Sequence, residues 1–246
     1  MQRFVRRLVT RFSRSTRAWS LVSVLLGNVL CSTVPHAQVG HLPSNSPYED
    51  LKVGQDVTIF FGRFNSNIGP ARVLPKPSLF GGVRYDVPLG GPGYLTARYT
   101  LIPSERNLLL PSKPRTTRVL SVENTQTHVV DIGFTVALPG RKTWHRLVPS
   151  VQLGAGLASD FASADTGGYQ FGTKFAFTGG FDVKYMFKNN WAVRADATNY
   201  LWRNSYPDSY YAVASDTTRV LTTDISKKSW GGTWAWSLGL VIPIFR

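Results

Sequence analysis

The final stretch, SWGGTWAWSLGLVIPIFR from Ser229 to Arg246, limits what this chain can fold into more than any other part of it. From Trp230 to Ile244 every second residue is Trp, Gly, Trp, Trp, Leu, Leu, Ile or Ile. Between them stand Gly231, Thr233, Ala235, Ser237, Gly239, Val241 and Pro243, which are smaller or more polar. Alternation at this period is a strand with one greasy face and one small face. Strands of globular proteins usually run about 5–6 residues, and this one is roughly two to three times as long.

The same pattern recurs upstream. Eight strands are predicted, at about 56–66, 77–89, 93–104, 125–138, 146–161, 171–187, 191–203 and 229–245. A tilted strand of about 9–11 residues crosses a bilayer, and nearly all of these reach that length. Short turns at Gly90–Gly93, Pro139–His145 and Lys188–Asn190 alternate with longer polar links at 67–76, 105–124, 162–170 and 204–228. Short turns at one rim and long loops at the other describe an outer-membrane barrel with periplasmic turns. An even strand number places both ends of the barrel on the periplasmic side.

Parity alone does not say which face points outward. A soluble ligand-binding barrel would hold the apolar face inside. Volume decides: eight strands enclose a space that side chains just fill. Phe175, Phe177, Phe181, Val183, Tyr185 and Phe187 on one strand, and Val130, Ile132, Phe134, Val136 and Leu138 on another, would overfill it. The opposite parity, rich in glycine, alanine and threonine with a few charges, fits a narrow lumen. Trp230 to Ile244 is therefore read as a lipid-facing stripe. The first strand, DVTIFFGRF, does not separate into two faces.

The front of the chain has six arginines and no acid ahead of an apolar run from Ala18 to about Val34, then a small-residue site at Ala37. That order is a secretory signal peptide over residues 1–37, followed by a polar lead at 38–55 and the barrel at 56–246. Leu30 before Cys31 is too large for lipoprotein processing, so cleavage removes the one cysteine. An exported chain without cysteine relies on neither disulfides nor thiol chemistry. The leader carries six of the positive charges in the net +14. The remaining basic balance suggests lipopolysaccharide phosphates as partners and no nucleic acid, because export takes the protein away from nucleic acid. No phosphate loop or metal-ligand cluster occurs, and no cofactor is expected.

At this point the chain resembles the small outer-membrane β-barrel family, of the OmpA-barrel and OmpX type. The likeness covers roughly Asp56 to Phe245 and rests on pattern more than on fixed residues. Ser237, Gly239, Ile242 and Ile244 match the spacing of the family's terminal assembly signal, with Phe245 next to last and out of phase. A bulge at Pro243 would rephase the end. The resemblance implies an all-β, eight-stranded, up-and-down transmembrane barrel in a Gram-negative outer membrane, inserted by the barrel-assembly machinery and surrounded by lipid and lipopolysaccharide.

Three sets of candidate residues follow. The lumen parity collects Arg84, Arg98, Arg146, Lys174, Lys184 and Arg194 with Asp86, Asp131, Asp160, Asp182 and Asp196. Such a set is either an ion path or a salt-bridged plug, and in so narrow a barrel the plug is expected, because buried charges must be paired. If Phe187 faces Trp191, opposite charges of the Asp182–Lys184 and Arg194–Asp196 segments fall on diagonals, within reach of long side chains. The second set, Ser159, His128 and Glu123 near the outer rim, is where a lipid A hydrolase would keep nucleophile and base. The plainer reading, an interfacial histidine beside an ordinary serine, is the expectation, and the His-x-Ser-Asn arrangement of lipid A deacylase barrels is absent. The third is the basic link with Arg106, Lys113, Arg115 and Arg118, able to grip lipopolysaccharide phosphates or simply to be solvated. A structural or interaction role without catalysis is expected, ahead of a small passive channel.

Overall fold

The computed structural model describes residues 46–51, 53–187 and 191–245. The expected leader, Cys31, the start of the lead and the Lys188–Asn190 turn lie outside the described residues. From Pro47 onward the chain is one compact unit. It contains β1 (Tyr48–Asp50), β2 (Gln55–Asn65), β3 (Ser78–Gly90), β4 (Gly93–Leu109), β5 (Val119–Ala137), β6 (Lys142–Trp144), β7 (Leu147–Ser159), β8 (Lys174–Met186), β9 (Ala192–Ser205) and β10 (Lys228–Phe245). Eight of these, β2–β5 and β7–β10, pair antiparallel with their neighbours in sequence, and β10 returns to β2. The sheet closes on itself, which leaves no membrane-level edge to be satisfied.

Alternation turns the large apolar residues outward. Phe61, Leu79, Ile132, Phe134, Leu153, Phe175, Trp236 and Leu238 are all exposed, Phe61 by 72%. A closed barrel with an apolar exterior over several strands is built for a bilayer as solvent. The terminal strand follows the pattern read from sequence: Trp230, Trp234, Trp236, Leu238 and Leu240 are exposed, and Thr233, Ala235, Gly239 and Val241 are buried. Its register with β2 shifts between Pro243 and Phe245, so Ile244 and Phe245 both end up exposed.

Three expectations change. Residues 105–124 are mostly not a loop, because β4 and β5 continue as a hairpin up to Leu109 and from Val119. Residues 139–145 are not a plain turn, because they include a short strand, β6. Tyr48–Asp50 pairs with Lys142–Trp144 as a two-stranded ribbon, and Leu51 and Val53 pack with Met186 against Tyr94, Ala137 and Val148 at the short-turn mouth. The first barrel strand does have two faces: Thr58, Phe60 and Phe64 are buried while Ile59, Phe61 and Arg63 are exposed. Its greasy inner side belongs to an apolar stopper at the long-loop end. Phe60, Phe64, Phe80, Phe171, Tyr200 and Trp202 fill the lumen there, joined by Val73 and Leu74 from the β2–β3 loop and by Tyr169, Tyr206 and Tyr210 from two others.

Candidate functional site: the charged lumen

Below those aromatics the side chains that face the lumen are mostly charged or polar. Arg84 of β3 lies flat across it, because neighbouring positions on several strands offer short acceptors. It donates to Asp86 (2.9 Å), Gln152 (2.8 Å), Thr135 (2.8 Å), Asp196 (3.3 Å) and Asp182 (3.4 Å). Asp86 in turn accepts from Arg194 (2.6 Å) and from the Thr96 hydroxyl (2.6 Å). Towards the short-turn mouth, Lys184 donates to Asp56 (3.1 Å) and lies over the Tyr94 ring. Towards the stopper, Arg98 makes a two-pronged pair with Asp131 (both 3.1 Å), donates to Thr198 (3.0 Å) and lies under Tyr200. Planar guanidinium groups suit this packing, since each presents several donors in a fixed fork.

Four cations and five carboxylates thus share one cross-linked cluster. Small residues make room for it. A Cβ at Gly154 would lie 2.7 Å from the Thr178 hydroxyl, which donates to Asp131. The void remaining between Arg84, Arg98, Arg194 and Tyr200 is about 10 Å³, the scale of a single water. Arg194 Nε lies 3.6 Å from Asp182 Oδ1, an ion pair too long for a hydrogen bond.

The register between β8 and β9 places Asp182 opposite Asp196 and Lys184 opposite Arg194, with Phe187 N–H donating to Trp191 O (2.8 Å). Like charges face each other directly and opposite ones lie on diagonals. Most of the compensation, however, arrives from β3 across the lumen.

Of the expected lumen charges, Arg84, Asp86, Arg98, Asp131, Asp182, Lys184, Arg194 and Asp196 meet in this cluster, and three do not. Arg146 sits with His145 in the two-residue turn between β6 and β7, both at positive φ (66° and 47°), as tight hairpin turns require. It precedes the strand and has no lumen face. Asp160 lies beyond β7, where its carboxylate accepts the N–H groups of Ala162 (3.2 Å) and Gly172 (3.1 Å) and ties the loop ends together. Lys174 opens β8 up among the aromatics, 4.0 Å from the Phe171 ring centre. Asp56 was missed because its strand showed no readable parity.

The outer-rim residues form no triad. His128 and Ser159 are register partners, but His128 Nδ1 shares a hydrogen bond with the Tyr99 hydroxyl (2.8 Å). Ser159, at the end of β7, is buried and bonded to Thr173 (2.9 Å). Glu123 accepts from Arg106 (3.1 Å). Two members of the basic set are also turned inward. Arg106, 3% exposed, bridges Glu123 and Asp165, and Arg118 donates to Arg219 O and to Thr218. Lys113 and Arg115 are exposed, as are Arg63 and Arg203 near the outer ends of their strands.

In the assembly-signal set, Gly239 faces inward, where a Cβ would lie 2.7 Å from Thr58 Cγ2. Ser237 borders the small central void, Ile242 is half-buried and Ile244 is exposed.

No known family model and no curated protein matches the sequence. Among solved structures, the chain is similar to the N-terminal β-barrel domain of Pseudomonas aeruginosa OprF, at 14% identity and a TM-score of 0.39 over 78% of this chain and 98% of that one. It is similar to the Yersinia pestis outer membrane protein Ail, at 12% identity and 0.38 over 77% and 100%. It is also similar to the outer membrane protein AlkL, at 13% identity and 0.38 over 83% and 96%. By its own strand order and exterior, the chain is a closed, eight-stranded antiparallel barrel with a largely apolar outer face.

Proposed function

We propose that this protein is an integral barrel of a Gram-negative outer membrane with a structural or interaction role, no catalysis, and a lumen closed to solutes. One observation carries the reading: the charged cluster reaches across the lumen from β3 to β9, and the cavity between Arg84, Arg98, Arg194 and Tyr200 measures about 10 Å³. The stopper above it and the Leu51–Val53 contact below add two further closures. Against catalysis stand the separate bonds of Ser159, His128 and Glu123. Lipid and lipopolysaccharide are the expected surroundings, with phosphates meeting Lys113, Arg115, Arg63 and Arg203. The terminal Ser237, Gly239, Ile242 and Ile244 pattern serves insertion by the assembly machinery, after removal of the leader over residues 1–37.

The test has two arms. Mature protein is expected to fractionate with outer membranes and to change gel mobility on heating. In planar bilayers it is expected to show no steady conductance. A large, steady open state in the unmutated protein would overturn the closed lumen in favour of a channel. Recovery as a detergent-free periplasmic monomer would overturn the membrane reading altogether.

A further inference from the structure

Beside the aromatic stopper, at the long-loop rim, a cleft of about 270 Å³ opens between the β2–β3 loop and the outer ends of β9 and β10. It exists because β2 ends early. The β2–β10 register stops at Asn65–Trp234, whereas β10 continues to Lys228 with β9 as its partner. One backbone edge from Ser229 to Thr233 therefore has no described strand beside it and borders the cleft. Gly231 keeps the wall thin, since a Cβ there would lie 2.7 Å from Asn204 Nδ2.

The lining has a specific chemistry. Asn67, Asn204 and Tyr206 supply polar groups, and Trp202 and Trp230 supply aromatic surface. The Tyr206 hydroxyl is buried and has no hydrogen-bond partner, while Asn204 uses its oxygen to accept from Lys174 (3.4 Å). Among the described residues that line the cleft, none is charged. A phosphate or sulfate would meet no charged lining group, since the nearby Lys174 ammonium is already bonded to Asn204, and an acyl chain would strand the amides and the phenol, at a cost of about 1–3 kcal/mol for each unmet group. A pyranose ring meets both demands, with C–H faces for the aromatics and hydroxyls for the amides, the phenol and the strand edge. A volume of about 270 Å³ is enough to admit one such ring.

We infer that this rim cleft binds one neutral hexose residue of a glycan. The source is either the sugar core of surrounding lipopolysaccharide or a free glycan outside the cell. The binding chemistry does not depend on the closed-lumen reading, and it is testable on the full mature chain refolded in detergent.

The probes are the methyl glycosides of glucose, galactose and mannose, followed by titrations with deacylated lipopolysaccharide core and with a maltooligosaccharide. Saturation-transfer NMR and tryptophan fluorescence give the readout. At least one methyl hexoside is expected to saturate in the range of about 1–10 mM, with no salt dependence because no ion pair forms. Asn204→Ala and Gly231→Val are expected to weaken it tenfold or more, and Lys142→Ala, exposed at the short-turn mouth, to leave it unchanged. Asn67→Ala, on the loop, replaces either variant if that variant loses its heat-shifted gel mobility. Tighter binding of the core assigns the ligand to the membrane's own glycan, and tighter binding of the maltooligosaccharide assigns it to a free one. The inference falls if no methyl hexoside saturates, if the cleft variants bind like the parent, or if added salt releases the sugar.

Discussion

Asp86 touches more of the lumen than any other carboxylate, with Arg194 at 2.6 Å, Arg84 at 2.9 Å and Lys184 at 3.9 Å. Asp86→Ala leaves cations in a space too dry to solvate them, and removing one partner of a buried pair typically costs about 3–5 kcal/mol. Asp160→Ala should cost less, on the order of 0.5–1.5 kcal/mol for each net hydrogen bond lost, since that residue only ties loop ends. Denaturant midpoints in micelles compare the two, and equal losses would remove the cluster from its place as the main stabiliser. Most of the cluster was legible in sequence because alternation separates lumen from lipid wherever one face is small. Asp56 was hidden because DVTIFFGRF carries phenylalanines on both parities. Phe61 meets lipid, while Phe60 and Phe64 meet the stopper, and periodicity does not distinguish two apolar surroundings. Arg146 and Asp160 had the right parity but lay just past the strand ends, where parity stops having meaning.

At the level of elements, the tall β4–β5 hairpin was the least legible part. In its β5 half, from Val119 to Asn124, every residue is exposed, so the two-residue rhythm that betrays a half-buried strand fades there. Its tip is held by Asp216 of the β9–β10 loop, which accepts from the Arg115 backbone N–H (2.7 Å) and the Thr218 hydroxyl (2.6 Å). These bonds favour the ionised form and lower the Asp216 pKa from 3.8 to about 2, with the Thr218 hydroxyl the largest cause. A depressed carboxylate pKa gives a contribution that is complete above the unfolded value and is lost as pH falls through the folded one. The tip is therefore expected to stay docked at pH 4 and to release only near pH 2. An NMR titration of the Arg115 amide should show that midpoint, and Asp216→Asn should abolish it. A midpoint near 4 would mean that the contact does not form in solution.

For the molecule as a whole, the exterior and interior exchange the roles they have in a water-soluble protein. Arginine at the bilayer midplane on the lipid face of a barrel costs about 2–4 kcal/mol, falling towards zero near the interface. Phe134→Arg, on an outward position that is 62% exposed, should accordingly impair insertion into vesicles. Gln126→Arg, further up the same strand, should insert like the parent, and equal yields for the two would contradict the facing of β5. The closed fold itself was readable from strand number, strand length and alternating link lengths. The stopper was not, because its strand aromatics Phe60, Phe64, Phe80, Tyr200 and Trp202 sit on the lumen parity expected to be small or charged, and the loop residues that join them carry no periodic signature.

The β8–β9 register has a consequence for the order of events. As an isolated hairpin, these strands set Asp182 against Asp196 and Lys184 against Arg194, and like charges directly opposite are destabilising. The hairpin gains its full compensation only when β3 brings Arg84 and Asp86 across the lumen. The last segments of the chain are thus electrostatically unfinished until the first ones are in place. A partly zipped sheet lacking β2 and β3 leaves Lys184 without Asp56 and Arg194 without Asp86, its shortest ion-pair partners, so these contacts reward completing the ring.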